Sequence, residues 1–303
     1  MHDASMSWEW RLVVRRGARR AARLAPGRAA LRLCAQAGVV PTHVWVDLPF
    51  PQHFRVRVGR RFFRYEASPG DRVAAPLYWT GLNSWEAETF SAFVPLARVS
   101  RGFVDIGAYT GVFTLVAATA NPTLSAVSFE PNPSRFPTLV RNLERNGLTG
   151  RCRPLPVAVG SSSGRARLFV PLHDDSMASL DSDPHASGGS LVEVDVASPE
   201  SAIPAELPID LIKIDVEGRE TDVLAALEPL LTRDRPALIC EFLGQRPYDE
   251  AEAILDRLGY GRWHLSPQGP ARVSHLGRKA SPFHNFLCLP AGHSLAPSRE
   301  AAT

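Results

Sequence analysis

Asp105-Ile106-Gly107-Ala108-Tyr109-Thr110-Gly111 is the stretch that decides the fold. It ends the apolar run Gly102-Phe103-Val104-Asp105-Ile106 and opens a helical pattern from Val112 to Ala120, which Asn121-Pro122 stops. Strand, glycine turn and helix follow one another without a spacer. Gly107 permits a tight turn, and its missing Cβ lets a ligand approach the backbone. Gly111 lets the helix start close to the strand, so the N–H groups of its first turn are expected to face the ligand.

Outward from this stretch, short apolar runs alternate with helical patterns. Ser125 to Glu130 reads as a second strand, and Pro133 to Asn146 as a helix stopped by Gly147. Pro156 to Val159 reads as the third strand, Leu211 to Val216 as the fourth, Glu220 to Leu231 as a helix and Pro236 to Phe242 as the fifth strand. This alternation is the signature of parallel βαβ units, hence an α/β, Rossmann-like sheet with helices on both faces. Ser161 to Pro208 is a long insertion with two strand-like pieces, Arg165 to Val170 and Leu191 to Val196. Insertions of this size commonly carry substrate contacts. From about Tyr248 the pattern predicts one more helix and two final strands. Upstream, Phe54 to Val58 and Phe62 to Tyr65 flank Gly59-Arg60 and predict a β-hairpin. The expected organisation is an Arg-rich leader with an accessory hairpin over 1–80, a catalytic domain over 81–290, and a flexible tail over 291–303.

Composition narrows the class. The 303 residues are 45% hydrophobic and 21% charged, ordinary for a chain that folds throughout. No apolar run reaches the ~18 residues of a membrane span. The start lacks an apolar core with a cleavage site, so a cytoplasmic protein is expected. Cys34, Cys152, Cys240 and Cys288 are far apart and form no C-x-x-C pair, which predicts reduced thiols, with Cys240 and Cys288 acting as small hydrophobes in apolar runs. The net charge of +3 is unevenly placed: Arg11 to Arg32 carries eight arginines and no acid. A solvated helix or leader is the preferred reading over membrane-surface contact, because Pro26-Gly27 breaks the apolar stripe. No nucleic-acid partner is expected.

The loop is not G-x-G-x-x-G, because Tyr109 stands where the middle glycine would admit a pyrophosphate. Asp105 places an acid just before the turn. Both features suit a ligand with positive charge and no phosphate, such as S-adenosylmethionine. The bland alternative is a strand–turn–helix whose glycines serve packing alone. Glu130 ends the second strand 25 residues after Asp105, where a carboxylate can accept both hydroxyls of a ribose, and Pro131 and Pro133 hold it at the carboxyl edge of the sheet.

A second constellation lies in Leu211-Ile212-Lys213-Ile214-Asp215-Val216-Glu217-Gly218. Alternation puts Lys213, Asp215 and Glu217 on one face of a central strand that should be apolar. Three ionisable groups there cost several kcal/mol unless they pair or meet a wet cleft. Either Lys213 and Asp215 form a structural ion pair, or the strand opens into the active site with Asp215 and Glu217 at its lip. The second is preferred, with Lys213 the most structural of the three.

The segments FVDIGAYTGVFTL (103–115), FEPNPSRFPTLVRNLERNG (129–147), DLIKIDVEGRETDVLAAL (210–227), PALICEF (236–242) and HNFLCLP (284–290) resemble the FkbM family of methyltransferases, over roughly Trp85 to Leu289. KIDVEG with the acid Glu220 after it is the most specific part. The resemblance implies a mostly parallel seven-stranded sheet with one antiparallel strand near the C-terminus. It implies methyl transfer from S-adenosylmethionine to an oxygen, often a hydroxyl of a sugar or secondary metabolite. It implies cofactor contacts from Asp105, Gly107, Gly111, Glu130 and Asn132, with the loop residues Ala108 and Tyr109 beside them and Ala158-Val159 near the adenine.

Asp215 or Glu217 is then the expected group to accept or orient the acceptor's hydroxyl proton, with Asp105 helping to hold the cofactor's amino-acid end. His173, Asp174, Asp175, Ser176 and Ser179 form a polar cluster read as a solvated loop or substrate contact; neighbours on one loop rarely converge on an ion, and no metal is expected. His264, His275 and His284 read as surface or strand-end residues. The rivals are an NAD(P)-dependent oxidoreductase, which predicts a G-x-G-x-x-G loop and a catalytic Tyr-Lys pair, and a non-catalytic cofactor-binding scaffold, which predicts a degraded KIDVEG strand.

Overall fold

The computed structural model describes residues 17–37, 48–83, 85–171, 178, 180, 188–243, 247–277 and 281–297. The chain divides into two compact units, Met1–Ala87 and Glu88–Thr303.

In the first unit, helix α1 (Ala25–Gln36) precedes strands β1 (His53–Val58) and β2 (Arg61–Glu66), and helix α2 (Ala74–Thr80) follows. The two strands pair antiparallel as the hairpin that the alternation predicts. Phe54, Val56, Val58, Phe63 and Tyr65 are buried on one side of it. Phe54 meets the ring of Tyr78 from α2 edge-on at 5.3 Å. Asp71 starts α2: one carboxylate oxygen accepts the N–H groups of Val73 and Ala74, and the other accepts the hydroxyl of Tyr65 at 2.7 Å.

The second unit runs α3 (Ala87–Val99), β3 (Gly102–Ile106), α4 (Val112–Ala120), β4 (Ser125–Phe129), α5 (Phe136–Arg145), β5 (Cys152–Leu155), β6 (Val157–Val159), β7 (Gly164–Pro171), β8 (Gly189–Ala197), α6 (Pro199–Ala202), β9 (Leu211–Ile214), α7 (Glu220–Asp234), β10 (Ala237–Glu241), α8 (Asp249–Arg257), β11 (Tyr260–His264), β12 (Ala271–Arg272) and β13 (Asn285–Pro290). Its main sheet has the order β12-β11-β13-β10-β9-β3-β4-β5. The five strands from β10 to β5 are parallel, and β13 enters antiparallel between β10 and β11. The expected seven strands are present; the two-residue β12 at the edge makes the eighth.

Faces follow from alternation. Val104 and Ile106 of β3 and Ile212 and Ile214 of β9 join Val223, Leu224 and Leu227 of α7 and Leu255 of α8 in one apolar cluster. The intervening residues point the other way, where Phe103 meets Phe93 of α3 edge-on at 5.2 Å and Phe93 meets Phe113 of α4 at 5.0 Å. Helices cover both faces, as a parallel sheet requires.

Among the boundaries that differ from the sequence reading, two bear on the site. The third strand of the main sheet is Cys152–Leu155, not Pro156 to Val159. Pro156 has no N–H for the ladder, so pairing breaks there. Val157–Val159 then pairs with β8 in a separate three-stranded sheet of order β6-β8-β7, built from the two strand-like pieces of the insertion. The fourth strand stops at Ile214 instead of Val216, with consequences for the acids that follow.

Candidate active site

The site is assembled where β3, β4 and β9 end side by side, at the carboxyl edge on which open α/β sheets bind ligands. Gly107 turns the chain with φ +80°. A Cβ placed there would lie 1.7 Å from the carbonyl oxygen of Asp215. The N–H of Asp215 in turn bonds the carbonyl of Ile106 at 3.0 Å. Only glycine lets these two strand ends touch, so the loop and the KIDVEG segment form one structure. Gly111 precedes α4 with φ +87°, and Tyr109 adopts φ +51°. Tyr109 replaces a glycine in the sequence pattern yet keeps the left-handed backbone that glycine would favour.

The loop amides are bonded within the protein. The N–H groups of Gly107 and Ala108 both donate to the carbonyl of Phe129, at 3.0 and 2.9 Å, and that of Gly111 donates to Ala108 at 2.7 Å. The N–H of Tyr109 donates to Oε2 of Glu130 at 2.6 Å. These four donors are turned inward to β4 and to the loop itself, so they are not presented to a ligand. Glu130, the residue directly after β4, is buried. Its Oε1 accepts the N–H of Asn132 at 2.7 Å, and its own N–H bonds the carbonyl of Leu155 at 3.0 Å. Two backbone N–H groups therefore fix the carboxylate. Asn132 is buried, and its Oδ1 accepts the N–H and hydroxyl of Ser134 at 3.0 and 2.9 Å, which shapes the turn into α5. Arg135 lies 5.2 Å from the ring centroid of Tyr109.

Asp105 is placed one layer deeper. It is 1% exposed, and its Oδ2 accepts the N–H of Thr114 at 3.1 Å and its hydroxyl at 2.6 Å. The hydroxyls of Thr114 and Ser128 are 2.7 Å apart. Burial pushes the Asp105 carboxyl up to about 6, against the opposing pull of Thr114 and of Lys213. This carboxylate ties the first turn of α4 to β3, a contact that the sequence reading missed; an acid inside an apolar strand followed by a hydroxyl residue in the next helix is its signal.

The charges in β9 resolve in the same place. Asp105 and Lys213 are register partners in adjacent strands. Lys213 is 1% exposed, its Nζ lies 3.1 Å from Oδ2 of Asp215, and it sits 5.2 Å from the ring centroid of Phe113. The two carboxylates flank one ammonium, which offsets the cost of burying it. The ion pair is present, and the Asp215 side chain is 26% exposed.

Glu217 does not share that strand face. Beyond Ile214 the ladder ends and the chain turns, with Glu217 at φ +53° and Gly218 at φ +115°. Strict alternation stops applying two residues before Glu217. Glu220 is fully buried and accepts the N–H of Gly218 at 2.8 Å, which locks this turn onto the start of α7.

Ala158 and Val159 are buried in β6, just beyond Leu155, and belong to the insertion's sheet. His173, Asp174, Asp175, Ser176 and Ser179 lie outside the described residues. His264 ends β11 with Nε2 2.9 Å from the carbonyl of Phe283, and His275 pairs with Glu252 at 3.0 Å. Cys152, Cys240 and Cys288 are buried, and burial raises all three thiols, those of Cys152 and Cys288 to about 11 and about 12.

Residues 105–261, which include the glycine loop, Glu130 and the whole KIDVEG turn, match the family described as the methyltransferase FkbM domain. The chain belongs to the FkbM methyltransferase family. The chain is similar to Methyltransferase 1 of Beauveria bassiana, 29% identical over 145 residues, 41% of this chain and 57% of that protein. It is 27% identical to Methyltransferase sdnD of Sordaria araneosa over 189 residues, 52% of this chain and 72% of that protein. It is also 27% identical to the Hexuronic acid methyltransferase AglP of Haloferax volcanii over 151 residues, 50% of this chain and 59% of that protein. The chain thus spans under two thirds of the length of the Beauveria and Haloferax relatives. Among solved structures, the FkbM methyltransferase of Methylobacillus flagellatus matches with a TM-score of 0.41 and 16% identity, covering 63% of this chain and 43% of that one.

Proposed function

We propose that this FkbM domain transfers a methyl group from S-adenosylmethionine to a hydroxyl of a small molecule, a sugar or secondary metabolite. The observation that carries the reading is the loop's polarity. Its amides are engaged by Phe129, Ala108 and Glu130, which leaves few donors for a phosphate, and Glu130 adds a carboxylate at the end of β4. That fits a nucleoside bearing positive charge and argues against the pyrophosphate of a dinucleotide. Asp215, just past the end of β9, adds a partly exposed carboxylate.

The residues present fit the group. Glu130 would hold the ribose hydroxyls, with Asn132 and the Asn132–Ser134 turn shaping the wall beside it. Gly107, Ala108, Tyr109 and Gly111 would supply the backbone against which the cofactor lies. Ala158 and Val159 would line the adenine side, and Asp105 would act on the amino-acid end through the loop that it anchors. When bound, the cofactor supplies a methyl carbon already activated on a sulfonium. The protein's remaining task is to align an acceptor oxygen, exclude water and receive a proton. Asp215 would serve for the last: Lys213 engages its Oδ2, and the carboxylate would accept the proton of the acceptor's hydroxyl. Glu217, on its turned loop, would orient the acceptor. The similarity to the protein named a hexuronic acid methyltransferase supports a carbohydrate acceptor.

Calorimetry with S-adenosylhomocysteine and NADH, followed by turnover of Asp215→Asn and Glu217→Gln on a panel of glycosides and phenols, tests this. Binding of the first ligand alone is expected. Asp215→Asn is expected to lose about 100-fold or more in turnover with the cofactor still bound, the scale of a general base. NADH binding without S-adenosylhomocysteine binding would overturn the reading.

A further inference from the structure

Charge is segregated between the two units. Residues 1–87 hold fourteen arginines, no lysine and six acids, whereas the remainder holds twenty basic and twenty-five acidic residues. Within the first unit, five of the fourteen arginines lie on the β1–β2 hairpin and its turn. The hairpin of β1 and β2 buries Phe54, Val56, Val58, Phe63 and Tyr65, and turns His53, Arg55, Arg57, Phe62 and Arg64 outward. Arg55 stands directly opposite Arg64, and Arg57 opposite Phe62. Like charges facing each other across two strands are destabilising. Glu66, the acid on this face, is buried against His53 at 3.5 Å, at the far end from the turn. At the turn itself Arg60 and Arg61 add two more exposed cations.

The same unit exposes large apolar side chains. Phe62 is 50% exposed, with the Arg55 guanidinium 4.4 Å from its ring centroid. Leu24 and Leu33, before and within α1, are 66% and 69% exposed. Arg32 ties α1 to the hairpin through a 2.7 Å bond to the carbonyl of Arg55. Arginines interleaved with exposed leucine and phenylalanine suit an interface in which phosphate headgroups meet the cations and acyl chains receive the apolar groups. A nucleic acid would satisfy the guanidiniums and leave the leucines in water.

We propose that the first unit docks on anionic lipid bilayers through the outer face of the β1–β2 hairpin, with Leu24 and Leu33 as apolar contacts. Methyl transfer does not enter the argument, so the proposal stands or falls apart from the assigned chemistry.

The test is co-sedimentation of the full chain with vesicles of phosphatidylcholine alone and of phosphatidylcholine with about a third phosphatidylserine. Binding to the anionic vesicles alone is expected, with release in ~1 M NaCl, where the screening length is about 3 Å. Arg55→Gln/Arg57→Gln/Arg64→Gln is expected to weaken vesicle binding about a hundredfold, and Phe62→Ser and Leu33→Ser each to weaken it several-fold. All of these side chains are exposed, and unchanged circular dichroism and thermal unfolding check the fold; if the triple variant fails that check, Arg64→Gln alone replaces it, with an expected loss of about fivefold. Equal binding to both vesicles, no binding to either, or a folded arginine variant that binds like the parent would each overturn the proposal. So would displacement by duplex DNA combined with full vesicle binding by Phe62→Ser and Leu33→Ser, which would mark a polyanion surface of another kind.

Discussion

Gly107 and Glu130 show how single residues set this site. At Gly107 the demand is steric, because its φ is +80° and a Cβ would meet the Asp215 carbonyl. Gly107→Ala is expected to lower stability by about 1–3 kcal/mol from the backbone alone, with further loss from the clash, and to abolish S-adenosylhomocysteine binding; thermal unfolding and calorimetry measure both. At Glu130 the demand is electrostatic, because the carboxylate accepts from Tyr109 and Asn132. Glu130→Gln places an amide NH2 where an acceptor is required, so one backbone donor loses its partner. The expected result is about 10- to 100-fold weaker S-adenosylhomocysteine binding, the scale of a hydrogen bond to a charged group, and an unaltered dissociation constant would remove Glu130 from the ribose.

Between elements, the decisive feature is the pairing of β3 with β9, which sets Asp105 beside Lys213 and Lys213 beside Asp215. The Asp105 carboxyl rises from its ordinary 3.8 to about 6 through burial. Between those values the folded state holds a proton that the unfolded state has released. Its contribution to stability is therefore full below about 4 and is lost as pH rises through about 6, on the order of 3 kcal/mol in all. Urea unfolding from about pH 4 to about pH 8 should show Asp105→Asn gaining on the wild-type protein as pH rises; a constant difference would mean that the carboxyl is not desolvated. Lys213→Met removes the shared cation and leaves two carboxylates facing each other. Turnover is expected to fall at least tenfold, because Asp215 loses the contact that orients it, with S-adenosylhomocysteine binding reduced far less. Equal losses in both would make Lys213 a residue of the fold alone.

On the scale of the molecule, every residue assigned to the cofactor and to the proton lies within Glu88–Thr303, a compact unit with its own apolar core. A chain of residues 85–303 is expected to fold and to bind S-adenosylhomocysteine within about threefold of the full protein, since none of these side chains is removed. Failure of that fragment to bind while remaining folded would place part of the cofactor site in the first unit. Among the described residues no helix is long and apolar enough to cross a membrane.

What the sequence determined by itself is everything that local pattern encodes. β3 and α4 have the expected limits because an apolar run, a glycine turn and an Asn-Pro stop are signals carried by adjacent residues. Glu130 at a strand end and the pairing of Lys213 with Asp215 were legible for the same reason. The tertiary structure alone decided the inward turn of the loop amides, the Asp105–Thr114 anchor, the departure of Glu217 from the strand face and the transfer of Val157–Val159 to a second sheet. Each depends on where a partner distant in sequence comes to lie. Side-chain period says which residues share a face only while the ladder continues, and the ladder ends where another strand no longer offers its hydrogen bonds.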